Sequence, residues 1–368
     1  MRVPRQSLRW SLTTLSLFVW SCNEGRSEPS APADAGTDAS VRDGGDDSSD
    51  ERILRSIAMS ASHVCVLRQA GLYCWGENFS GQLGTGDTVG SPDTPVKAQV
   101  ASEDIVEVAA DSGRTCVRRR GGEVACWGGN DQGQIGDGTR TGSLVPSRAD
   151  GIDDARQLAM DDVSTCVLRA DGSVACWGAS PADTPDQGSL TPMAIPELTG
   201  VAELRGGVQG TYCARGEAGW VRCIRLQDGV WGAPAPVDAL TGARSVAVTF
   251  QDEVCGIAPD DQILCHNLDS GHDGVLSNSQ GAVELVSGLL SVCARKQSGE
   301  WSCWNVLPAM LESVGSPEIE VPTDVPYVEV TIGGIRACAL RADDAVMCAD
   351  ANSVSAAPEL ELVSDLPR

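Results

Sequence analysis

Fourteen of the fifteen cysteines of this chain stand in seven close pairs, and the chemistry their spacing invites is oxidation to disulfides. The pairs are Cys65 and Cys74, Cys116 and Cys126, Cys166 and Cys176, Cys213 and Cys223, Cys255 and Cys265, Cys293 and Cys303, and Cys338 and Cys348. Six positions after each first cysteine stand Gly71, Gly122, Gly172, Gly219, Asp261, Gly299 and Asp344. Glycine, and less readily aspartate, enters the left-handed backbone region cheaply, so each of these marks the closing residue of a tight hairpin loop. In the third unit a loop of Ala170, Asp171 and Gly172 sets Cys166 opposite Cys176. Directly opposed antiparallel residues have Cα atoms about 4.5–5.5 Å apart, a span a disulfide tolerates. Seven intra-hairpin disulfides are therefore predicted, each worth roughly 2.5–3 kcal/mol in the chain-entropy model. The alternative is fourteen buried thiols serving as small hydrophobes. Such bridges staple hairpins and cannot tie one unit to the next.

Other reactive residues form no comparable pattern. The three histidines, His63, His266 and His272, sit at unrelated repeat positions without metal-ligand spacing, and no serine elbow stands on a strand-turn-helix. The neighbours Asp153 and Asp154, or Asp161 and Asp162, point to opposite sides of a strand, which suits solvated loops better than a paired acid and base. Neither catalysis nor a metal nor a cofactor is expected.

The unpaired cysteine is Cys22. It follows Arg2, Arg5 and Arg9 and a short, mostly apolar run from Trp10 to Trp20, too short to span a bilayer and suited to a signal-peptide core. The run ends Val19-Trp20-Ser21-Cys22, which resembles the lipobox of bacterial lipoproteins; that resemblance implies lipidation of Cys22 and display on a membrane outside the cytoplasm. Residues 1–22 are thus expected to be an export signal with its lipidation cysteine. Residues 23–52, built from Ala, Pro, Gly, Ser and Asp, bury too little apolar surface to offset their ordering entropy and are expected to form a disordered acidic tether.

The elements that must position the cysteines follow from the period. Successive pairs begin 51, 50, 47, 42, 38 and 45 residues apart, the scale of stacked supersecondary units. Eight or nine residues before each pair an apolar residue sits in a short alternating stretch: Ile57, Val108, Leu158, Leu204, Val246, Leu285 and Val330. This predicts a strand feeding each hairpin and, after the second cysteine, an outermost strand. Residues 53–368 are expected to be all-β, a seven-bladed β-propeller with about four antiparallel strands per blade. The segment Pro358–Val363 reads as an outer strand and 53–59 as the strand after it, so the ring is expected to close by N- and C-terminal strands sharing one blade. A linear solenoid is the alternative.

The first two units read Cys65-Val-Leu-Arg-Gln-Ala-Gly-Leu-Tyr-Cys-Trp-Gly-Glu-Asn-Phe-Ser-Gly-Gln-Leu-Gly-Thr-Gly86 and Val124-Ala-Cys-Trp-Gly-Gly-Asn-Asp-Gln-Gly-Gln-Ile-Gly-Asp-Gly138. They resemble the repeat of the regulator of chromosome condensation family, a seven-bladed propeller, in an exported bacterial form with cysteines in the hairpin. The likeness extends to Trp177 and Gly178 and fades afterwards, although Trp304 keeps part of it. Gly81, Gly84 and Gly86, with Gly133, Gly136 and Gly138, permit tight loops; Leu83 and Ile135 can plug between blades, and Trp75, Trp127 and Trp177 suit a core between sheets.

Function is then expected at the surface. A formal net charge of −24 repels nucleic acid. Arg68, Arg119, Arg169, Lys296 and Arg341 all lie three residues after a first cysteine, beside turns that emerge on one rim. They form a candidate basic ring for a partner, with salt bridges to neighbouring acids as the alternative. Trp220, at a hairpin tip, is a further candidate contact, with burial against the next blade as its alternative. The favoured reading is a monomeric, non-enzymatic, lipid-anchored module of the cell envelope that binds a protein or surface polymer through one propeller face. The other is an enzyme or carbohydrate-binding propeller with a site at the channel mouth, which a buried cluster of carboxylates around the channel would favour.

Overall fold

The computed structural model describes residues 56–179, 188–207, 210–227, 229–249, 252–288, 291–305, 319–320, 327–333, 336–350, 361–363 and 366. The export signal, the tether and Cys22 lie outside the described residues. The rest forms seven antiparallel sheets, each built from consecutive strands. In the first blade the order is Ser56–Met59, His63–Arg68, Gly71–Gly76 and Ser91–Lys97. The first strand of every blade packs against the first strand of the next, and Ser56–Met59 also packs on Tyr327–Gly333 of the seventh blade, so these strands are the inner wall of a closed ring. Blade 4 departs from four strands: Val230–Trp231 and Ala235–Pro236 both pair with Val221–Gln227. One 3₁₀ turn, Asp238–Leu240, is the only helix among the described residues.

All seven hairpin residues singled out for a left-handed backbone have positive φ, from 67° at Asp261 to 136° at Gly71. Each cysteine pair is directly opposed in register and bonded, with Cα–Cα separations of 3.9–4.1 Å. The separation is shorter than expected for a simple reason. The Arg169 N–H donates to the Ser173 carbonyl, and alternation from there makes Cys166 and Cys176 a non-hydrogen-bonded pair, the closer of the two kinds.

The core is divided rather than central. Buried apolar side chains fall into seven clusters, one at each blade interface. The sidedness follows from strand alternation, because adjacent residues point to opposite faces. Cys74 faces blade 2 and joins Cys65, Leu83 and Trp127, whereas Trp75, its neighbour in sequence, faces blade 7 and joins Cys338 and Leu340. The seven inner-strand apolar residues named above are all buried.

The expected sharing of one blade by the first and last strands is corrected by the strand order. Glu361–Leu362 is the outer strand of blade 7 and pairs with Val346–Asp350, while Ser56–Met59 pairs within blade 1. Each unit is an inner strand, a hairpin and an outer strand in chain order, so no strand is left over to exchange. The ring closes by packing: Ile57, Met59, Val64, Val66 and Trp75 meet Cys338, Leu340 and Val346.

Replacing Cys166 and Cys176 together by alanine is expected to lower stability by about 2–3 kcal/mol, read from the urea midpoint, and to leave the circular-dichroism spectrum unchanged. All fourteen cysteines of the propeller should resist alkylation until a reductant is added.

Candidate functional site

Three places could carry function: the wall of the channel, the rim bearing the cysteine hairpin turns, and the opposite rim bearing the longer loops. The wall is built from polar residues that immediately precede the buried apolar residue of each inner strand: Ser56, Glu107, Gln157, Glu203, Ser245, Glu284 and Glu329. Several of these accept a hydrogen bond from the next blade. Glu107 Oε1 accepts the Leu158 N–H at 3.1 Å, Gln157 Oε1 the Leu204 N–H at 3.0 Å, and Glu329 Oε2 the Ile57 N–H at 3.0 Å across the closing seam. Ser245 Oγ donates to Glu203 Oε1 at 2.9 Å. In blades 2, 4 and 6 the glutamate is also directly opposed to an arginine: Glu107 to Arg118 at 2.6 Å, Glu203 to Arg215 at 3.1 Å and Glu284 to Arg295 at 2.8 Å.

Blade 7 breaks this rule, because Glu329 is opposed to Leu340. Burial, helped by the negative charges of Glu107 and Glu284, raises its carboxyl to about 7 against the pull of the Ile57 bond. Glu107 is also raised by burial, with Arg118 opposing.

On the loop side lies a second buried network. The Arg114 guanidinium, 1% exposed, donates to the Gln134, Asp161 and Ser164 carbonyls at 2.6–3.0 Å and pairs with Asp111. Asp161 accepts the Ser164 N–H and hydroxyl at 2.6 and 2.7 Å, Ser164 meets the Tyr212 hydroxyl at 3.0 Å, and burial raises Asp161 to about 6. His63 resembles a base beside a serine, with Ser60 Oγ 3.0 Å from Nδ1. The rest of its surroundings give it a different part. Thr115 Oγ1 donates to the Gln82 carbonyl at 2.8 Å, so His63 Nε2, 2.7 Å from that oxygen, must be the donor. The ring is neutral, and burial lowers its pKa to about 3. It links blade 1 to blade 2 and is sealed from substrate. Among the described residues no three His, Cys, Asp or Glu side chains converge as a metal site.

The glycine-rich loops act as clamps. The Gln82 carbonyl accepts the Trp127 indole N–H at 2.9 Å, and the Gln134 carbonyl accepts that of Trp177 at 3.0 Å. A Cβ on Gly84 or Gly136 would stand 2.7 or 2.5 Å from the same indole nitrogens, and both glycines have positive φ. Leu83 and Ile135 are fully buried in the interface clusters. Asn78 and Asn130 hold the loops from inside: their Oδ1 atoms accept the Leu83 and Ile135 N–H groups at 2.9 and 2.8 Å. The later blades lack the motif, yet Trp304 finds the same kind of acceptor in the Ser277 carbonyl at 2.8 Å.

Family models for the regulator of chromosome condensation (RCC1) repeat match residues 54–82 and 70–117, the stretch that carries the first of these clamps. The chain is an RCC1-type repeat propeller. The Ultraviolet-B receptor UVR8 of Arabidopsis thaliana is 36% identical to this RCC1-type propeller over 97 residues, 26% of the chain and 22% of the receptor. The curated relatives it matches are covered over 10–22% of their own length. Human WBSCR16 superimposes with a TM-score of 0.61 at 16% identity, covering 77% of this chain and 85% of that one. Yeast RCC1 (Prp20), solved with Kap60 bound, gives 0.60 at 17% identity over 76% and 78% of the two chains. At such identity these two structures establish the fold alone.

On the turn rim of the RCC1-type propeller the expected basic residues are gathered, each at the end of a second strand, and all are engaged. Arg119 pairs with Asp104, Arg169 with Asp154 at 3.0 Å and Arg341 with Asp343 at 3.0 Å. Arg68 is 8% exposed and donates to the Asp344 carbonyl of the blade 7 turn, fastening the seam from this side; Lys296 also has a partner. Trp220 is half-buried over Gly216, with the Arg222 guanidinium 5.1 Å from its ring, and packs on the cluster between blades 3 and 4. It therefore turns to the preceding blade rather than the next. The inner-wall glutamates and the loop asparagines are what residue reasoning missed. Their signal was present as a polar residue before every inner-strand apolar one and an Asn three places after Trp75 and Trp127.

A carboxyl whose pKa is raised in the folded chain favours folding below its unfolded value near 4.5, and that contribution is lost as pH rises through about 7. The protein should therefore lose stability between pH 5 and 8. Glu329→Gln is expected to remove a share on the order of 2–3 kcal/mol of that loss, seen as a flatter plot of urea midpoint against pH.

Proposed function

We propose that the chain is a non-enzymatic interaction module, held on a membrane outside the cytoplasm by a lipid on Cys22, that binds a protein partner through one face of its propeller. The observation that carries the reading is the state of the carboxylates around the channel. Glu107, Glu203 and Glu284 are each ion-paired to an arginine of their own blade, Glu107 and Glu203 also bond to the next blade, and Glu329 is bonded across the seam, so these carboxylates have structural partners. The channel-site alternative keeps one observation in its favour, the gathering of Glu107, Glu203, Glu284 and Glu329 on this wall, but three of the four are neutralised by arginine, whereas glycoside hydrolysis asks for two free carboxyl groups facing each other.

Compartment and partner have separate supports. Seven disulfides suit an oxidising environment, and cytosolic thiol pools do not maintain such a set. The anchor rests on the lipobox-like Val19-Trp20-Ser21-Cys22 and on Cys22 having no hairpin partner in the sequence. Yeast Prp20 was solved with Kap60 bound, an instance of this fold engaging another protein.

Cells fed an alkyne-tagged fatty acid should label the wild-type chain and not Cys22→Ser, which should leave the membrane fraction. Cross-linking on intact cells should capture a discrete partner with the wild-type chain. Label retained by Cys22→Ser would refute the anchor, and a surface-displayed chain that cross-links to nothing would refute the module.

A further inference from the structure

We propose that the loop face of blade 1 is a docking site, centred on Phe79, for a protein segment that carries a large apolar side chain flanked by lysine or arginine. The proposal rests on the reading of the chain as an interaction module and names the surface and the chemistry of its partner. Phe79 is 80% exposed, and among the described residues it is the one aromatic side chain left in solvent.

The fold has no use for an aromatic there. The loop of blade 2 has the same construction, with Asn130 accepting from Ile135 as Asn78 does from Leu83 and Gln134 capping its own loop as Gln82 does, yet Asp131 stands where blade 1 has Phe79. A lone exposed ring would need no explanation, but Phe79 shares its loop with Val89, also exposed, and leaving both in water is unfavourable by the hydrophobic effect.

Phe79 is also held still. Asn78 is fully buried, and its Nδ2 donates to the Asp87 and Val89 carbonyls, both at 3.0 Å. On the other side the Ser80 N–H donates to Gln82 Oε1 at 3.0 Å and the Gly81 N–H to the Asn78 carbonyl at 3.0 Å. A ring presented from a bonded loop loses little freedom on binding, which is the economy of a preorganised anchor. Two further exposed apolar side chains stand on the same loop face, one from each of two blades. Val89, 72% exposed, hangs from the same asparagine, and Leu144 lies over Gly81, where an added Cβ would come within 2.5 Å of its Cδ2.

Charge decides what sits there. Between Gly71 and Val96 the sequence has no lysine or arginine, and its acids, Glu77, Asp87 and Asp93, are all exposed. An anionic lipid surface would be repelled, and so would a second copy of this chain with its net charge of −24. A basic, apolar protein segment is attracted on both counts.

The test uses a phage-displayed random peptide library selected on the immobilised full chain. Selected peptides should combine an aromatic or large aliphatic residue with two or more Lys or Arg. Their affinity should fall about tenfold or more for Phe79→Ala. The pair Glu77→Lys with Asp93→Lys should weaken binding and remove its dependence on salt. Phe79→Asp, which copies Asp131, serves as a second variant whose folding the blade 2 loop already supports. Peptides without basic residues, peptides that bind Phe79→Asp as well as wild type, or a selection that enriches none would each overturn the proposal. The partner captured on intact cells separates the two readings: capture by wild type and Phe79→Asp alike defeats the docking site and leaves the module standing, whereas no capture by either defeats the module.

Discussion

Contacts across the face between one blade and the next are what the remaining structure depends on. Every disulfide lies within a single hairpin, so no covalent bond other than the chain itself crosses an interface. Each sheet is buried on two sides, and each side contains polar backbone that must be paired there. The solution recurs at several interfaces: an inner-strand side chain accepts the next blade's N–H near the axis after blades 2, 3 and 7, and a loop carbonyl accepts the next blade's indole after blades 1, 2 and 5. Each interface also holds an apolar cluster, and after blades 1, 2, 5 and 7 the sulfurs of one blade meet the tryptophan of the next in it. The disulfide thus works twice, as a staple inside its hairpin and as packed apolar volume outside it.

The same logic governs the carboxylates of the channel wall. A glutamate pointing into an interface must be neutralised or hydrogen-bonded, and opposed arginines do this in blades 2, 4 and 6. Blade 7 retains the glutamate without the arginine, at the seam where no chain connection helps. There Arg68 on the turn side and the Ile57 N–H on the channel side hold the ring, and the cluster around Trp75 fills the space between. The closing interface, like the others, joins an inner-strand bond to an apolar cluster.

Much of this was legible in residue order. The hairpins, their disulfides and the seven units follow from cysteines, turn residues and apolar residues at fixed offsets, because β-hairpin geometry is local and leaves a local mark. The plugging of Leu83 and Ile135 and the burial of the tryptophans followed from the same spacing. The ring of acceptors was missed although Glu107, Gln157, Glu203 and Glu329 stand in plain series, since a polar residue beside an apolar one is also what any half-exposed strand displays. Only the approach of the next inner strand gives it a donor to bind.

The sequence by itself determined what lies within one unit: which residues reverse the chain, which sulfurs meet, and that the unit recurs seven times. Tertiary structure alone decided what happens between units. It placed the first and last strands in adjacent blades instead of one, it matched Arg119, Arg169 and Arg341 with acids and Arg68 with a carbonyl, and it left Phe79 in solvent. The physical reason is separation along the chain. A hairpin brings together residues about ten apart, whereas the partners across an interface lie some fifty apart or, at the seam between Ile57 and Glu329, 272 apart, and no local pattern records which distant surface will fill them.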